Sequence, residues 1–213
     1  MKDAVRLLKE MVAIPSVSCG LDGEPDDIHG EARMVEFISD FFDRHGIDYE
    51  IQEVEPGREN VLGRVEGGDG PSLLLEAHTD TVSVEGMTID PFDPAERNGR
   101  IYGRGSCDEQ VSVAAVMIGL VQAKELGPPG DITLAAPADE ECGFGGARRL
   151  VESGFRADAA VVGEPTKLRL VVAHKGACRA TIRTKGQSAH TSQPSRGQNA
   201  IYAMARLIPA MED

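Results

Sequence analysis

Apolar side chains at Ala4, Val5, Leu8, Met11 and Val12 recur at the spacing of one helix face, so residues 3–14 predict an amphipathic helix that Pro15 and Ser16 stop. The acidic, turn-rich stretch 18–30 predicts a loop. Met34, Val35, Ile38, Phe41 and Phe42 mark the buried face of a second helix over 31–44, with Gly46 as its C-terminal cap. The period then changes to two. Residues 47–54 and 60–65 predict strands, and a GGDGP turn leads into the apolar run Leu73-Leu74-Leu75 of a buried strand that ends in His78-Thr79-Asp80. Residues 81–106 show no strong periodicity and contain the turn Asn98-Gly99. A helix over 109–125, a strand over 131–136, a short helix over 145–153 and a strand over 157–162 follow.

Strands alternating with helices favour an α/β fold with parallel strands. In such folds the pocket lies beyond the carboxyl ends of the strands. Those ends carry the chemistry here: His78 and Asp80 after the first buried strand, Glu140 and Glu141 after the next, Glu164 after the last, and Asp108 in a glycine-rich loop at the head of a helix. The i, i+2 spacing of His78 and Asp80 puts both on one face of an extended chain, where one ring nitrogen could bind an ion while the carboxylate orients the other. Taken singly, each residue also has an ordinary explanation: a salt-linked surface histidine, a solvated acidic pair, an N-cap aspartate, a turn glutamate before Pro165. Together, converging carboxylates would repel unless cations neutralised them. Two divalent metals bridged by a carboxylate resolve that conflict, and mixed imidazole and carboxylate ligands suit zinc, with cobalt or manganese as alternatives. The loop IYGRGSCD is not a dinucleotide fingerprint, because its glycine pattern is incomplete.

Composition narrows the function further. Acidic residues outnumber basic ones 35 to 22, a net charge of −13, which argues against nucleic acid or an anionic membrane surface as partner. Aromatic residues make up 4% of the 213 positions and tryptophan is absent, so stacking on nucleic-acid bases is not expected. No apolar run approaches membrane-spanning length, and the N-terminus does not resemble a signal peptide. Cys19, Cys107, Cys142 and Cys178 form no CxxC pair and read as reduced thiols of a cytoplasmic protein.

The segments LLKEMVAIPSVS, LLLEAHTDTV, DPFDP, IYGRGSCD, DEECGFGGARRLVESG, VVGEPT and HKGACRATIRTKGQSAHTSQPSRGQNAI, in that order, resemble the di-zinc metallopeptidases and deacylases. That family includes acetylornithine deacetylase, succinyl-diaminopimelate desuccinylase, aminoacylase and glutamate carboxypeptidase. The resemblance implies a zinc-aminopeptidase-like catalytic domain over 1–168, with a mixed, mostly parallel sheet between helices. It also implies the first part of an α+β lid and dimerisation domain over 169–213. By the same resemblance, His78 is a ligand of one metal and Asp80 orients its ring. Asp108 bridges two Zn2+ ions, with Co2+ or Mn2+ as substitutes. Glu140 is the general base that moves a proton from water to the leaving amine, Glu141 is a ligand of the second metal, and Glu164 a ligand of the first. His190 resembles the lid histidine that stabilises an oxyanion across a dimer. The implied substrate is an N-acyl amino acid or a small peptide amide.

Two departures from the family pattern shape the expectation. The lid offers strands over about 169–174 and 178–185 and a helix over about 197–211, and then the sequence stops at Asp213, before the family's return to the catalytic domain and its last histidine ligand. The family also follows the bridging aspartate with a small or apolar residue, a lysine and two glycines, where this chain has Glu109, Gln110, Val111 and Ser112. The chain therefore reads as a truncated member of weak or no activity, a homodimer if its lid were complete. The alternative is a catalytically dead remnant that binds a partner chain or metal.

Overall fold

A computed structural model describes residues 2–20, 23–176 and 180–212. The chain divides into two compact units, Met1–Arg169 and Leu170–Asp213. The first unit opens with helices α1 (Lys2–Val12) and α2 (Ala32–His45). Gly46 ends α2 with φ 60°, and its N–H bonds back into the last turn, which is the left-handed cap that glycine supplies without steric cost. Strands β1 (Asp48–Glu55), β2 (Arg58–Val65) and β3 (Leu73–Glu76) follow. Next come the short strands β4 (Ala95–Arg97) and β5 (Arg100–Tyr102), then α3 (Gln110–Leu126), β6 (Ile132–Ala136), α4 (Gly145–Glu152) and β7 (Ala159–Val162).

The main sheet has five strands in the order β1-β2-β6-β3-β7. It is mixed: β1, β2 and β6 pair antiparallel, whereas β3 runs parallel to both β6 and β7. Glu76 at the end of β3 stands opposite Ala135 of β6 and Val162 of β7, so all three strands deliver their chains to one edge.

Alternation along β2 sorts the two layers. Val61 and Val65 face a large core made by α1 (Leu7, Leu8, Met11, Val12), α2 (Met34, Ile38, Phe42) and α3 (Val113, Met117, Leu120). Leu62, one residue out of phase, packs with Ala135, Leu74, Phe155 and Leu150 of α4 in a smaller cluster. The sheet thus lies between helices, as expected. Gly63 shares the larger core's face, and a Cβ there would lie 2.4 Å from the Phe42 ring, so only glycine lets α2 seat this closely on β2.

Two expectations change. The stretch 81–106 holds a hairpin, β4-β5, whose link Asn98-Gly99 has φ of 52° and 71°, the double left-handed turn this pair favours. Strands of three residues are too short to display a period of two. In the second unit, the strands expected over 169–174 and 178–185 do not form among the described residues; residues 177–179, including Cys178, lie outside them. A pair of strands alone is marginal without further neighbours to complete its ladders. The unit's described residues show the bridge Gln187 to Gln198, a short turn of 3-10 helix at Pro194–Arg196, and the expected helix, α5, at Ala200–Glu212. No helix among the described residues is long and apolar enough to cross a membrane.

Candidate functional site

Beyond Glu76 the chain leaves the regular ladder but stays tied to the end of β6. Ala77 donates its N–H to the Ala135 carbonyl at 3.1 Å, and Thr79 donates both its N–H and its hydroxyl to the Pro137 carbonyl, at 2.9 and 3.0 Å. These bonds hold 77–80 extended and bury His78 and Asp80 at 2% and 0% exposure. His78 Nδ1 donates to the Asp80 backbone carbonyl at 2.9 Å, with the Asp80 carboxylate 3.5 Å away. The ring orientation expected from Asp80 therefore comes chiefly through its backbone. Nε2 is turned toward Asp108 Oδ1 (3.5 Å) and Glu140 Oε2 (3.7 Å).

The Asp80 carboxylate is occupied elsewhere. Oδ1 accepts the N–H of Glu140 at 3.0 Å and Oδ2 the N–H of Glu141 at 3.1 Å. It latches the segment after β3 to the acidic loop after β6. That loop has two more anchors that the sequence reading missed. Buried Asn60 donates to the Gly146 carbonyl (2.9 Å) and accepts from the Ala138 N–H (3.0 Å), clamping both ends of the loop. Buried Arg58 forks onto Glu31 at 2.9 and 2.6 Å and reaches Asp139 Oδ1 at 3.2 Å. Asp139 itself, at φ 63°, donates its N–H to Glu31 and accepts from Gly145. The available signal was Arg58 and Asn60, two apart and hence on one face, in a strand otherwise largely apolar. Glu31 was disguised at the start of α2, where its side chain makes no capping bond.

Asp108 lies in the loop just before α3, half exposed, and Glu164 follows β7. Three groups have ligand atoms all within 4.8 Å of one another: His78, Asp108 and Glu141; His78, Glu140 and Glu164; and Asp108, Glu109 and Glu164. The predicted ligands and base thus come together, and among the described residues no cysteine joins them. Cys107 is exposed and Cys142 half-buried. His29 pairs with Asp26, His45 donates to the Phe41 carbonyl, and His174 is exposed.

The electrostatics are those of crowded acids. Burial pushes Glu76, Glu109 and Glu141 each up to about 7, and neighbouring carboxylates add to the shift while His78 opposes it. Burial also raises Glu164. For His78, burial works downward, but the hydrogen bond and charge of Asp80 and the charge of Glu140 outweigh it and hold the imidazole up at about 10. Burial pushes Glu31 up and Arg58 pulls against it, and the two-pronged contact is the geometry of an ionised pair. Such a set of oxygens around one imidazole fits a divalent cation, whose charge would offset the repulsion among Asp108, Glu109, Glu140, Glu141 and Glu164.

His190 belongs to the second unit. It is exposed, and its Nδ1 lies 2.8 Å from the Ser192 hydroxyl and accepts the Ser192 N–H at 3.2 Å, which leaves the ring proton on Nε2.

The sequence profile of peptidase family M20/M25/M40 matches residues 74–209, from the strand before His78 to the last helix. The chain belongs to this family. Among solved structures, this M20 chain resembles a tripeptidase from Staphylococcus aureus at 22% identity and a TM-score of 0.66, over 98% of this chain and 56% of that one. An M20 metallo-carboxypeptidase from Sulfolobus solfataricus matches at 19% identity and a TM-score of 0.65, over 76% of this chain and 37% of the other. A dinuclear metal-binding M20 peptidase from Bacillus subtilis matches at 18% identity and a TM-score of 0.51, over 72% and 39%. At these identities the likeness is one of fold, and the chain spans between 37% and 56% of these structures' lengths.

Proposed function

We propose that this M20 chain is a metal-dependent hydrolase of amide bonds, acting on an N-acyl amino acid or a small peptide. The observation that carries the reading is the convergence of His78, Asp108, Glu140, Glu141 and Glu164, from separate segments of the chain, within ligand distance at one sheet edge. His78 would hold a metal through Nε2, Glu164 would complete that site, Glu141 would serve a second ion, and Asp108 would bridge. Zn2+ suits this donor set, with Co2+ or Mn2+ as substitutes; when bound, such ions polarise a carbonyl and acidify water. Glu140 would be the proton carrier. Its neighbour Glu141 can be committed to metal while Glu140 takes a proton from water and returns it to the leaving amine. Asp80 would act by positioning, since its oxygens hold the backbone of both glutamates.

Residues 170–213 would be part of a lid and dimerisation domain. There the Nε2–H tautomer of His190 is the form able to donate to a developing oxyanion in a partner's site.

The test is hydrolysis of a panel of N-acyl amino acids and dipeptides by zinc- or cobalt-loaded protein, with Glu140→Gln alongside. The expected outcome is turnover that falls about 10²–10⁴-fold in the variant while bound metal is unchanged. Equal rates in the two proteins would remove Glu140 from the mechanism. Metal binding with no turnover of any substrate would leave a metal-binding chain and sink the hydrolase reading.

A further inference from the structure

We propose that Gln110 is a positioning residue of the metal centre: through Ser16 it holds the loop that carries Asp108 against the segment that carries His78 and Asp80. The inference rests on the metal-dependent reading above and adds to it a side chain that touches neither metal nor substrate.

Asp108 sits in a loop whose base is closed by Gly105 and Gln110. The Gly105 carbonyl accepts the Gln110 N–H at 3.1 Å. The Gln110 side chain also lies against Gly105, where a Cβ would stand 2.5 Å from its amide carbon and oxygen. Gly105 has φ 82° as well, so glycine is required there for two reasons. Gln110 is 1% exposed. Its Nε2 donates to the Ser16 hydroxyl at 3.3 Å, while its Oε1 has no hydrogen-bond partner among the described residues. A buried amide that is half satisfied is costly, and an apolar side chain of the same length would fill the space without that cost. What the amide supplies is the bond to Ser16.

Ser16 is fixed in turn to the other side of the site. It is fully buried, and its carbonyl accepts the Thr81 N–H at 2.9 Å, while the Thr81 carbonyl accepts the Ser18 N–H at 2.8 Å. Thr81 directly follows Asp80. The contacts Gln110–Ser16–Thr81 thus join the two segments that bring His78 Nε2 and Asp108 Oδ1 to 3.5 Å. A second tie runs from Arg104, on the other side of Asp108, to the Ser83 carbonyl at 2.7 Å and reaches the same segment. Asp108 is itself half exposed, so its carboxylate depends on these attachments of its loop for its place. Side chains that orient ligands in this way set metal affinity without touching the ion. In the family pattern described above a lysine stands at this position; the amide of Gln110 makes its tie without a charge.

Calorimetric titration of the full chain with Zn2+ and the visible absorption spectrum of the Co2+-loaded protein test the inference, with Gln110→Met and Ser16→Ala as variants. Gln110→Met keeps the length and packing of the side chain and removes the amide. Ser16→Ala removes the same bond from the other side by deleting one oxygen. Both are expected to bind zinc about 10–100-fold more weakly than the unaltered chain, with an altered cobalt spectrum. The double variant should lose little more than either single one, because all three lack the same bond. At saturating metal, kcat should fall with KM little changed. Unchanged zinc affinity and cobalt spectrum in both variants overturn the proposal. So does a lower melting temperature in chelator with metal binding unaltered, which is what a merely structural amide would give. Weaker zinc binding in the variants, with no substrate turned over by the parent, supports the positioning role and removes the hydrolase reading. A parent that binds no divalent cation removes both.

Discussion

Arg58 reaches from the first residue of β2 to two carboxylates, and through Asp139 it holds the loop that carries Glu140 and Glu141. It is 4% exposed, so removing it strands the fully buried Glu31. Arg58→Leu is expected to destabilise the fold by about 3–5 kcal/mol, the cost of breaking a buried pair from one side. Replacing both partners removes the stranded charge, so Glu31→Leu combined with Arg58→Leu should cost clearly less than the two single changes summed. Urea denaturation of the three variants measures this, and simple additivity would show that the pair is not coupled.

At the scale of elements, glycines have opposite meanings in β2 and α3. Gly63 lies under the Phe42 ring, and Gly63→Ala should cost about 1–3 kcal/mol through overpacking, with Phe42→Leu recovering part of it. Gly119, within α3, has nothing within 4 Å of a built Cβ. Gly119→Ala should stabilise by about 0.5–1 kcal/mol, because only the helix propensity changes. Thermal melts of both variants give the two signs. Gly163 and Gly146 extend the pattern toward the site. A Cβ at Gly146 would meet the Ala138 carbonyl and Asn60 Oδ1 at 2.4 Å, so the seam between α4 and the acidic loop also requires glycine.

For the whole molecule, the loss of stability in acid comes from carboxylates that accept backbone N–H groups. Asp26 is lowered to about 2 by the N–H groups of His29 and Ile28. Asp131 is lowered by the Gly67 N–H and then Arg64, and Asp158 by the Ser72 N–H and hydroxyl. Their folded pKa values lie below the unfolded value of about 3.9. Their stabilisation is therefore complete above that value and is lost as pH falls through the folded values, down to about pH 2 for Asp26. Melting temperature should drop most steeply below about pH 4, and Asp158→Ala, which unties the starts of β3 and β7, should flatten that drop. Metal should act in the other direction. A cation at one hundred times its dissociation constant adds about 2.7 kcal/mol, so chelator should lower the melting temperature at neutral pH, and an unchanged melt would argue against a bound ion.

Much of this protein is written locally. The stripes of α1, α2 and α3 and the apolar runs of β3, β6 and β7 follow from side-chain periodicity, which depends only on neighbours in the chain. His78, Asp80, Asp108, Glu140, Glu141 and Glu164 stand out because strand ends can be read off the sequence and parallel strands share an edge. The β4-β5 hairpin was hidden by its shortness, although Asn98-Gly99 marked its turn, and the strands expected in the second unit do not form among the described residues, because a strand needs partners that local pattern cannot supply. The tertiary structure alone decided the rest. Asp139 meets Glu31 across 108 residues and Asn60 meets Gly146 across 86, so their roles as loop anchors have no local trace. It decided too that Asp80 spends its carboxylate on two backbone N–H groups, and that Glu109, a helix-start residue by pattern, is buried against Gly163 and drawn into the cluster of oxygens. Periodicity reports which side of an element faces inward; which polar groups meet there depends on how distant segments pack.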